Sequence, residues 1–188
     1  MRHRRDFIRF MVTAGASAGL LAAVPAPVLA LAAPDGVVPG GNRLPVSHRA
    51  QSSGAPVGTM RIPRMGLDET VRSGVAIEVI NKGVAHWAGT SMPGEDGNLV
   101  LAGHRTTYTR PFYDLDLLEP GDMIHMTRDG GYDVMYKVSE TLIVEPQDIW
   151  ITYNRDTPMM TMFACHPKGS TRYRIVVTAD LVAGGRIS

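Results

Sequence analysis

Apolar and polar residues alternate along several short segments of this chain, and turn-forming residues separate the segments. Six segments have the composition or the two-residue period of a β-strand: 58–63, 98–104, 122–127, 132–144, 159–164 and 174–181. The glycine-rich turn at 129–131 indicates that the third and fourth strands form a hairpin. A short helix is indicated around 76–84 and a helical turn around 149–154. Short strands between turn signals, with little helix, predict an all-β barrel that is closed or nearly closed.

The first 33 residues have the pattern of an export segment. Four arginines in residues 1–9 precede a stretch, 10–33, that contains no charged residue. The pair Arg4-Arg5 resembles the twin-arginine export motif. The uncharged stretch is long enough to span a bilayer, whereas small residues at 30–33 would suit a signal peptidase. We therefore expect 1–33 to be a signal peptide or an N-terminal membrane anchor, and the folded domain to work outside the cytoplasm.

The remainder of the chain divides into a linker and one folded domain. Residues 34–56 are rich in Pro, Gly, Ser and Ala, which predicts a flexible linker. Strand-like patterns begin at about residue 57, so we assign 57–183 to a single folded domain. A chain of 188 residues leaves room for one domain of ordinary size.

Charge and cysteine content exclude several classes of function. The formal net charge is +1, to which residues 1–9 contribute +3 and the remainder −2, so we predict no nucleic-acid partner. Cys165 is the only cysteine, which excludes an intramolecular disulfide and a multi-cysteine zinc site. The acidic residues are scattered and form no ligand cluster for a hard cation. We therefore predict no metal and no cofactor.

Cys165 is the first candidate for chemistry. It ends an apolar run and precedes Pro167, where a strand has to stop. A side chain at a strand end is fixed by the sheet and is accessible to substrate, which suits a nucleophile. The alternative is a buried cysteine that acts as a small hydrophobic residue, the commoner role of a lone thiol.

A cysteine nucleophile needs a proton partner and often a cation. His104 ends the apolar run at 98–104 and is preferred over His86 by its position. Arg172 and Arg174 stand near the start of the last strand, and either guanidinium could hold a substrate carbonyl or an oxyanion. Alternation places both arginines on one face, so the pattern does not choose between them.

Several segments resemble sortases, and class E sortases in particular. Residues 161–165 resemble the Thr-Leu-X-Thr-Cys strand of that family, with Met162 for Leu and Ala164 for the second Thr. Arg174, followed by Ile-Val-Val, falls where many sortases carry their arginine. The class E likeness also extends to 94–108, 110–112, 117–122 and 165–170. It covers the whole folded domain, about 57–182.

The resemblance implies a closed β-barrel of about eight strands with one or two short helices. It also implies a cysteine transpeptidase that cleaves a Leu-Ala-X-Thr-Gly or Leu-Pro-X-Thr-Gly type of sorting signal between Thr and Gly. Cys165 would form the thioester, His104 would transfer protons, and Arg174 would hold the substrate or the oxyanion.

Further expectations concern substrate contacts and partners. Thr161, Ala164 and His86 are candidate substrate-binding residues. The expected partners are surface proteins with a C-terminal sorting signal, an amine of a peptidoglycan precursor or a pilin, and the membrane through the N-terminal segment.

Three rival interpretations remain. Ala164 lacks the hydroxyl of the family residue, which would suit a slow enzyme or a catalytically silent surface-binding barrel. A secreted cysteine peptidase would use the same residues without amine capture. An L,D-transpeptidase would need a Ser-X-Gly-Cys motif, and Phe163-Ala164 stands there instead.

Overall fold

The computed structural model describes residues 53–128 and 130–186, with the backbone alone for Gly185 and Arg186. The expected signal or anchor at 1–33, and the linker at 34–56 up to residue 52, lie outside the described residues. Within the described ranges, no helix combines the length and the apolar character needed to cross a membrane.

Eight strands form the framework of the described chain. They are β1 (Pro56–Ile62), β2 (Leu67–Ser73), β3 (Ala85–His86), β4 (Asn98–Ala102), β5 (Met123–Arg128), β6 (Tyr132–Val144), β7 (Met159–His166) and β8 (Tyr173–Arg186). The described residues also contain one α-helix, α1 (Ile77–Ile80), and three 3-10 helices at Pro63–Met65, Leu115–Leu117 and Ile149–Thr152.

The strands close into a barrel in the order β1-β2-β3-β4-β7-β8-β6-β5. β5 pairs with β1 and closes the circle. The β2–β3 and β4–β7 pairs are parallel, and the other neighbours are antiparallel. Closure leaves no long unpaired sheet edge. The predicted all-β, closed barrel of about eight strands is confirmed.

Alternation along β7 shows how the sequence separates the barrel interior from its outer face. Met160, Met162 and Ala164 belong to the main core, while Phe163 belongs to a second apolar cluster. Successive side chains of a strand point to opposite faces, so Phe163 and Cys165 lie on the outer face. The core inside the barrel includes Met60, Val71, Leu99, Leu101, Ile124, Tyr136 and Val177.

Several element boundaries differ from the expectations. β6 has the predicted limits, whereas α1 is much shorter than 76–84 and β1 begins at Pro56, inside the predicted linker. β2 was not predicted, because Glu69 interrupts the apolar alternation between its buried residues Leu67 and Val71. β3 has only two residues and offers no pattern to detect.

Candidate active site

Cys165 lies on the outer face of β7, next to the last residue of the strand. Its thiol is free and half-buried. Ala164 beside it is 2% exposed and packs in the barrel core. A hydroxyl at position 164 would therefore point into the core, so the alanine removes no group from the face that carries the thiol.

Arg174 is the residue directly opposite Cys165 in the β7–β8 ladder. Directly opposed residues share a face, so the arginine lies next to the thiol on the outer face of the barrel. Its Nη1 donates to the carbonyl oxygens of Thr171 and Tyr173, both at 2.9 Å. Arg172 precedes β8, so strand alternation does not apply to it, and its guanidinium lies 5.1 Å from the Tyr173 ring centroid.

His104 approaches β7 from the parallel strand β4. The ladder pairs Ala102 with Phe163, and the N–H of Gly103 donates to the carbonyl oxygen of Phe163 at 3.3 Å. His104 follows at once, beside the segment that ends in Cys165. A Cβ on Gly103 would lie only 2.7 Å from Phe112, so glycine is required for this close approach.

Two side chains contact the His104 ring. Its Nε2 lies 2.8 Å from Oδ1 of Asn81, at the C-terminal end of α1. The Tyr108 ring stacks on it at 4.9 Å between centroids. An amide oxygen can only accept, so a hydrogen bond between these two atoms requires the proton on Nε2. Burial lowers the pKa of His104.

The segment after His104 has an unusual backbone. Tyr108 and Arg110 have φ angles of 52° and 51°, in the left-handed region that residues other than glycine seldom adopt. Such conformations persist only where surrounding contacts hold them, and they are frequent at functional sites. The N–H of Phe112 supplies one such contact by donating to the carbonyl oxygen of His104 at 3.2 Å.

Charged side chains also hold the segment that follows His104. Arg105 is 2% exposed, its Nε donates to the carbonyl oxygen of Tyr113 at 2.7 Å, and its Nη2 lies 2.7 Å from Oδ1 of Asp116. Lys168, from the β7–β8 connection, lies 3.2 Å from Asp114 and 3.6 Å from Asp116. Partial burial alone would raise the pKa of Asp116, but Arg105 and Lys168 outweigh it and hold that pKa low.

An apolar wall lies on the outer face of the barrel, on the side of Cys165 opposite to His104. Val144, Ile151 and Val176 form a buried cluster on the outer face, and Phe163 packs against it. The β6–β8 ladder places Val144 opposite Arg174, so the wall is continuous with the Cys165–Arg174 row. The cluster is completed by Leu142 and Trp150.

Asn98 and Thr161 anchor this wall. The Nδ2 of Asn98 donates to the carbonyl oxygens of Ile151 and Tyr153, both at 3.0 Å. The Thr161 hydroxyl donates to Oδ1 of Asn98 at 2.9 Å. Thr161 is 2% exposed, so its observed contacts support the wall, and its contact with substrate remains a prediction.

The remaining predicted residues lie away from the thiol or are buried. His86 is 3% exposed, and its Nε2 contacts the Thr90 hydroxyl and the Ser91 carbonyl oxygen. Burial lowers the pKa of His86 against the opposing effect of these hydrogen bonds. The structure gives the His86 and Ala164 side chains no open path to substrate, so their substrate contacts also remain predictions.

His125 has a different environment. It lines a cavity of about 600 Å³ on the outer face of the barrel, together with Arg61 and Asp68. These residues belong to β5, β1 and β2, none of which is a neighbour of β7 in the sheet. His125 is therefore remote from Cys165.

Sequence reasoning proposed Cys165, His104 and Arg174 but did not propose Asn81 or Tyr108, whose side chains contact the His104 ring. Asn81 belongs to no recognisable motif and is far from His104 in the sequence, so no pattern could link the two. Tyr108 lies within the run 94–108 that carries the class E likeness, so that likeness could have identified it. Among the described residues, no cluster of His, Cys, Asp and Glu could hold a metal ion.

Comparisons with known proteins give a consistent result. A family model described as a sortase domain matches residues 60–182. Sortase SrtE1 of Streptomyces coelicolor is 29% identical over 139 residues, which cover 65% of this chain and 39% of that protein. Sortase D of Bacillus subtilis is 28% identical over 116 residues, covering 61% and 57%. The chain thus spans less than two thirds of the length of either relative.

A solved structure agrees with these matches. Sortase E from Streptomyces avermitilis superimposes with a TM-score of 0.63 and 32% sequence identity. The superposition covers 71% of this chain and 91% of that chain.

Proposed function

Because the chain belongs to the sortase family, we propose that it is an exported cysteine transpeptidase that cleaves a C-terminal sorting signal between Thr and Gly and transfers the acyl group to an amine. The acceptor amine belongs to a cell-wall precursor or to a pilin. The enzyme works at the extracytoplasmic face of a bacterial membrane, to which its N-terminal segment attaches or directs it.

The pairing of Cys165 with Arg174 carries this proposal. It places a half-buried thiol and a guanidinium side by side on the outer face of the barrel, with His104 arriving from the neighbouring strand. A nucleophile, a proton donor and a charged hydrogen-bond donor are the groups that acyl transfer needs. An apolar wall next to them offers a surface for the Leu side chain of a sorting signal.

The first half-reaction forms a thioester. The Cys165 thiolate attacks the Thr carbonyl carbon, and Arg174 stabilises the oxyanion through guanidinium N–H groups that are not bonded to Thr171 and Tyr173. The Thr–Gly bond then breaks while His104, as imidazolium, gives its proton to the departing Gly nitrogen.

The second half-reaction transfers the acyl group. The acceptor amine attacks the thioester carbon, neutral His104 takes the proton from that amine, and the thiolate leaves. The proton on His104 and the charge on Cys165 are then as they were at the start. Transpeptidation therefore requires the amine to react faster than water.

The burial of Ala164 favours an enzyme over a silent barrel. The loss of a hydroxyl at position 164 was the main sequence feature that favoured a catalytically silent barrel. The Ala164 side chain, however, faces the core. The predicted departure from the family strand therefore leaves the outer face of the site intact.

The test uses the purified chain, a Leu-Ala-X-Thr-Gly peptide and a small amine, with products identified by mass spectrometry. We expect a product cut after Thr and joined to the amine, which disappears in Cys165→Ala. Cleavage without amine capture would identify a peptidase. The absence of both product and thioester, also with a Leu-Pro-X-Thr-Gly peptide, would identify a silent barrel.

A further inference from the structure

The sheet fixes the backbone of Cys165 more firmly than the backbone of His104. Cys165 lies within the β7–β8 ladder, which continues to His166. The β4–β7 ladder ends at Ala102, and one further backbone bond, from Gly103, precedes His104. Beyond these points the chain leaves the sheet as two irregular segments, 103–114 and 167–172. Contacts between the two segments therefore help to set the distance between imidazole and thiol, together with the contacts of Asn81 and Tyr108 to the His104 ring.

Arg105 fixes the first segment directly after His104. A guanidinium that is 2% exposed is costly unless it is paired, and this one meets the Tyr113 carbonyl oxygen and the Asp116 carboxylate. The arginine thus ties the backbone beside His104 to residues eight and more positions further along the chain.

Lys168 reaches the same carboxylate from the second segment. Its Nζ lies 3.2 Å from Asp114 and 3.6 Å from Asp116, and it stands 3.9 Å from the Tyr113 ring centroid. Asp116 therefore contacts one cation from each segment. Lys168 lies between Cys165 and Arg174 in the sequence, so the contact joins the stretch that connects those two residues to the stretch that follows His104.

We infer that Lys168 is a positioning residue: its contacts with Asp114, Asp116 and Tyr113 hold the connection between Cys165 and Arg174 against the segment that carries His104. This inference rests on the proposed transpeptidase activity. Proton transfer by His104 depends on its distance from the reacting atoms, and small displacements reduce turnover strongly. An ordinary solvated surface lysine would have no such effect.

The first experiment compares Lys168→Met, Lys168→Arg and the control Lys137→Met in the full chain, with the sorting-signal peptide and a small amine. Lys137 is exposed on β6, away from these segments. We expect Lys168→Met to lower kcat by about threefold to tenfold while KM changes by less than about twofold. Lys168→Arg should restore most of kcat, and Lys137→Met should match the wild type.

A double-mutant cycle with Asp116→Asn tests whether the contact itself is responsible. Asparagine keeps an acceptor for Arg105 but removes the charge that faces Lys168. We expect the two substitutions to be non-additive in kcat, and we expect added salt to lower kcat in the wild type more than in Lys168→Met. Additive effects with equal salt dependence would overturn the inference.

Hydrogen exchange separates this inference from the proposed function, because it needs no turnover. We expect Lys168→Met to speed amide exchange in residues 105–117, which are distant in sequence from the substitution. Faster exchange in a chain that processes no peptide would reject the transpeptidase and support the link between segments. Unchanged exchange would overturn the positioning role of Lys168, whatever the activity.

Discussion

The two regions that flank Cys165 are held by different forces. On the His104 side, the segment 103–117 is fixed by charged groups that are in part exposed, with Asp116 42% and Lys168 33% exposed in their side chains. On the opposite side, the 3-10 helix Ile149–Thr152 is fixed by the buried amide of Asn98 and by apolar packing. The charged region can respond to salt and pH, whereas the Asn98 and apolar contacts of the opposite side involve no titratable group.

This difference predicts that the two regions contribute to different properties of the protein, stability and turnover. Exposed ion pairs contribute at most about 1 kcal/mol each, while an unsatisfied buried polar group costs about 1–3 kcal/mol. Changes in the apolar region should therefore appear mainly in stability, and changes in the charged region, apart from the buried Arg105, mainly in turnover. Arg174, which lies between the two, should affect turnover most.

Arg174→Ala gives the largest expected effect. Loss of an oxyanion donor should lower kcat/KM for amine transfer by roughly 10²–10³. Arg172→Ala is the matched control, and it should stay within about threefold of the wild type because Arg172 lies before β8. Steady-state kinetics of both variants measure this, and the reverse order of effects would assign the role to Arg172.

Asn98→Ala should show that the apolar region contributes more to stability than the charged region does. The substitution leaves the carbonyl oxygens of Ile151 and Tyr153 and the Thr161 hydroxyl without their partner. We expect the free energy of unfolding to fall by about 2–4 kcal/mol, measured by urea denaturation. Lys168→Met should cost less than about 1 kcal/mol in the same assay. Equal losses in the two variants would contradict the contrast between the regions.

Asn81→Ala should affect turnover without a comparable loss of stability. Its amide oxygen accepts a hydrogen bond from Nε2 of His104, and without this bond the imidazole loses its fixed orientation. We expect kcat to fall by about tenfold and the urea midpoint to change little. Asn81→Asp, which keeps an acceptor, should recover part of kcat. Wild-type kcat in the alanine variant would show that Asn81 does not orient the ring.

The smallest expected effect is a shift in the pH profile. Burial lowers the pKa of His104, so the imidazolium is lost at lower pH than in an ordinary histidine. The acidic limb of kcat/KM should therefore lie below the usual histidine range. Tyr108→Ala exposes the ring and should move that limb upward by less than about one pH unit. An unchanged limb would mean that Tyr108 does not shield the imidazole.

Parts of the fold were predictable because side-chain alternation records which face of a strand is buried. The predicted limits of β6 are confirmed, and its burial alternates clearly from Tyr132 to Val138, before the register shift that precedes Glu140. β2 was not predicted because the charged residue Glu69 occupies an inward position between Leu67 and Val71.

The candidate site was predictable only as far as its residues belong to strand ends or motifs. Cys165 and Arg174 meet because β7 pairs with β8, and the resemblance to sortases had already named them. Asn81 and Lys168 act through contacts between segments that are distant in sequence. Only the closed barrel brings those segments together, so a reading of local pattern could not find either contact.

The parallel pairing of β4 with β7 has a consequence for the order of folding. β5 and β6 lie between these strands in the sequence and can form their hairpin without them. Parallel neighbours cannot be joined by a tight turn, so a long loop must close before β4 and β7 gain their contacts. Such non-local pairing is slow. A nascent chain therefore holds its thiol apart from His104 until the barrel closes, and the recovery of turnover during refolding would time that closure.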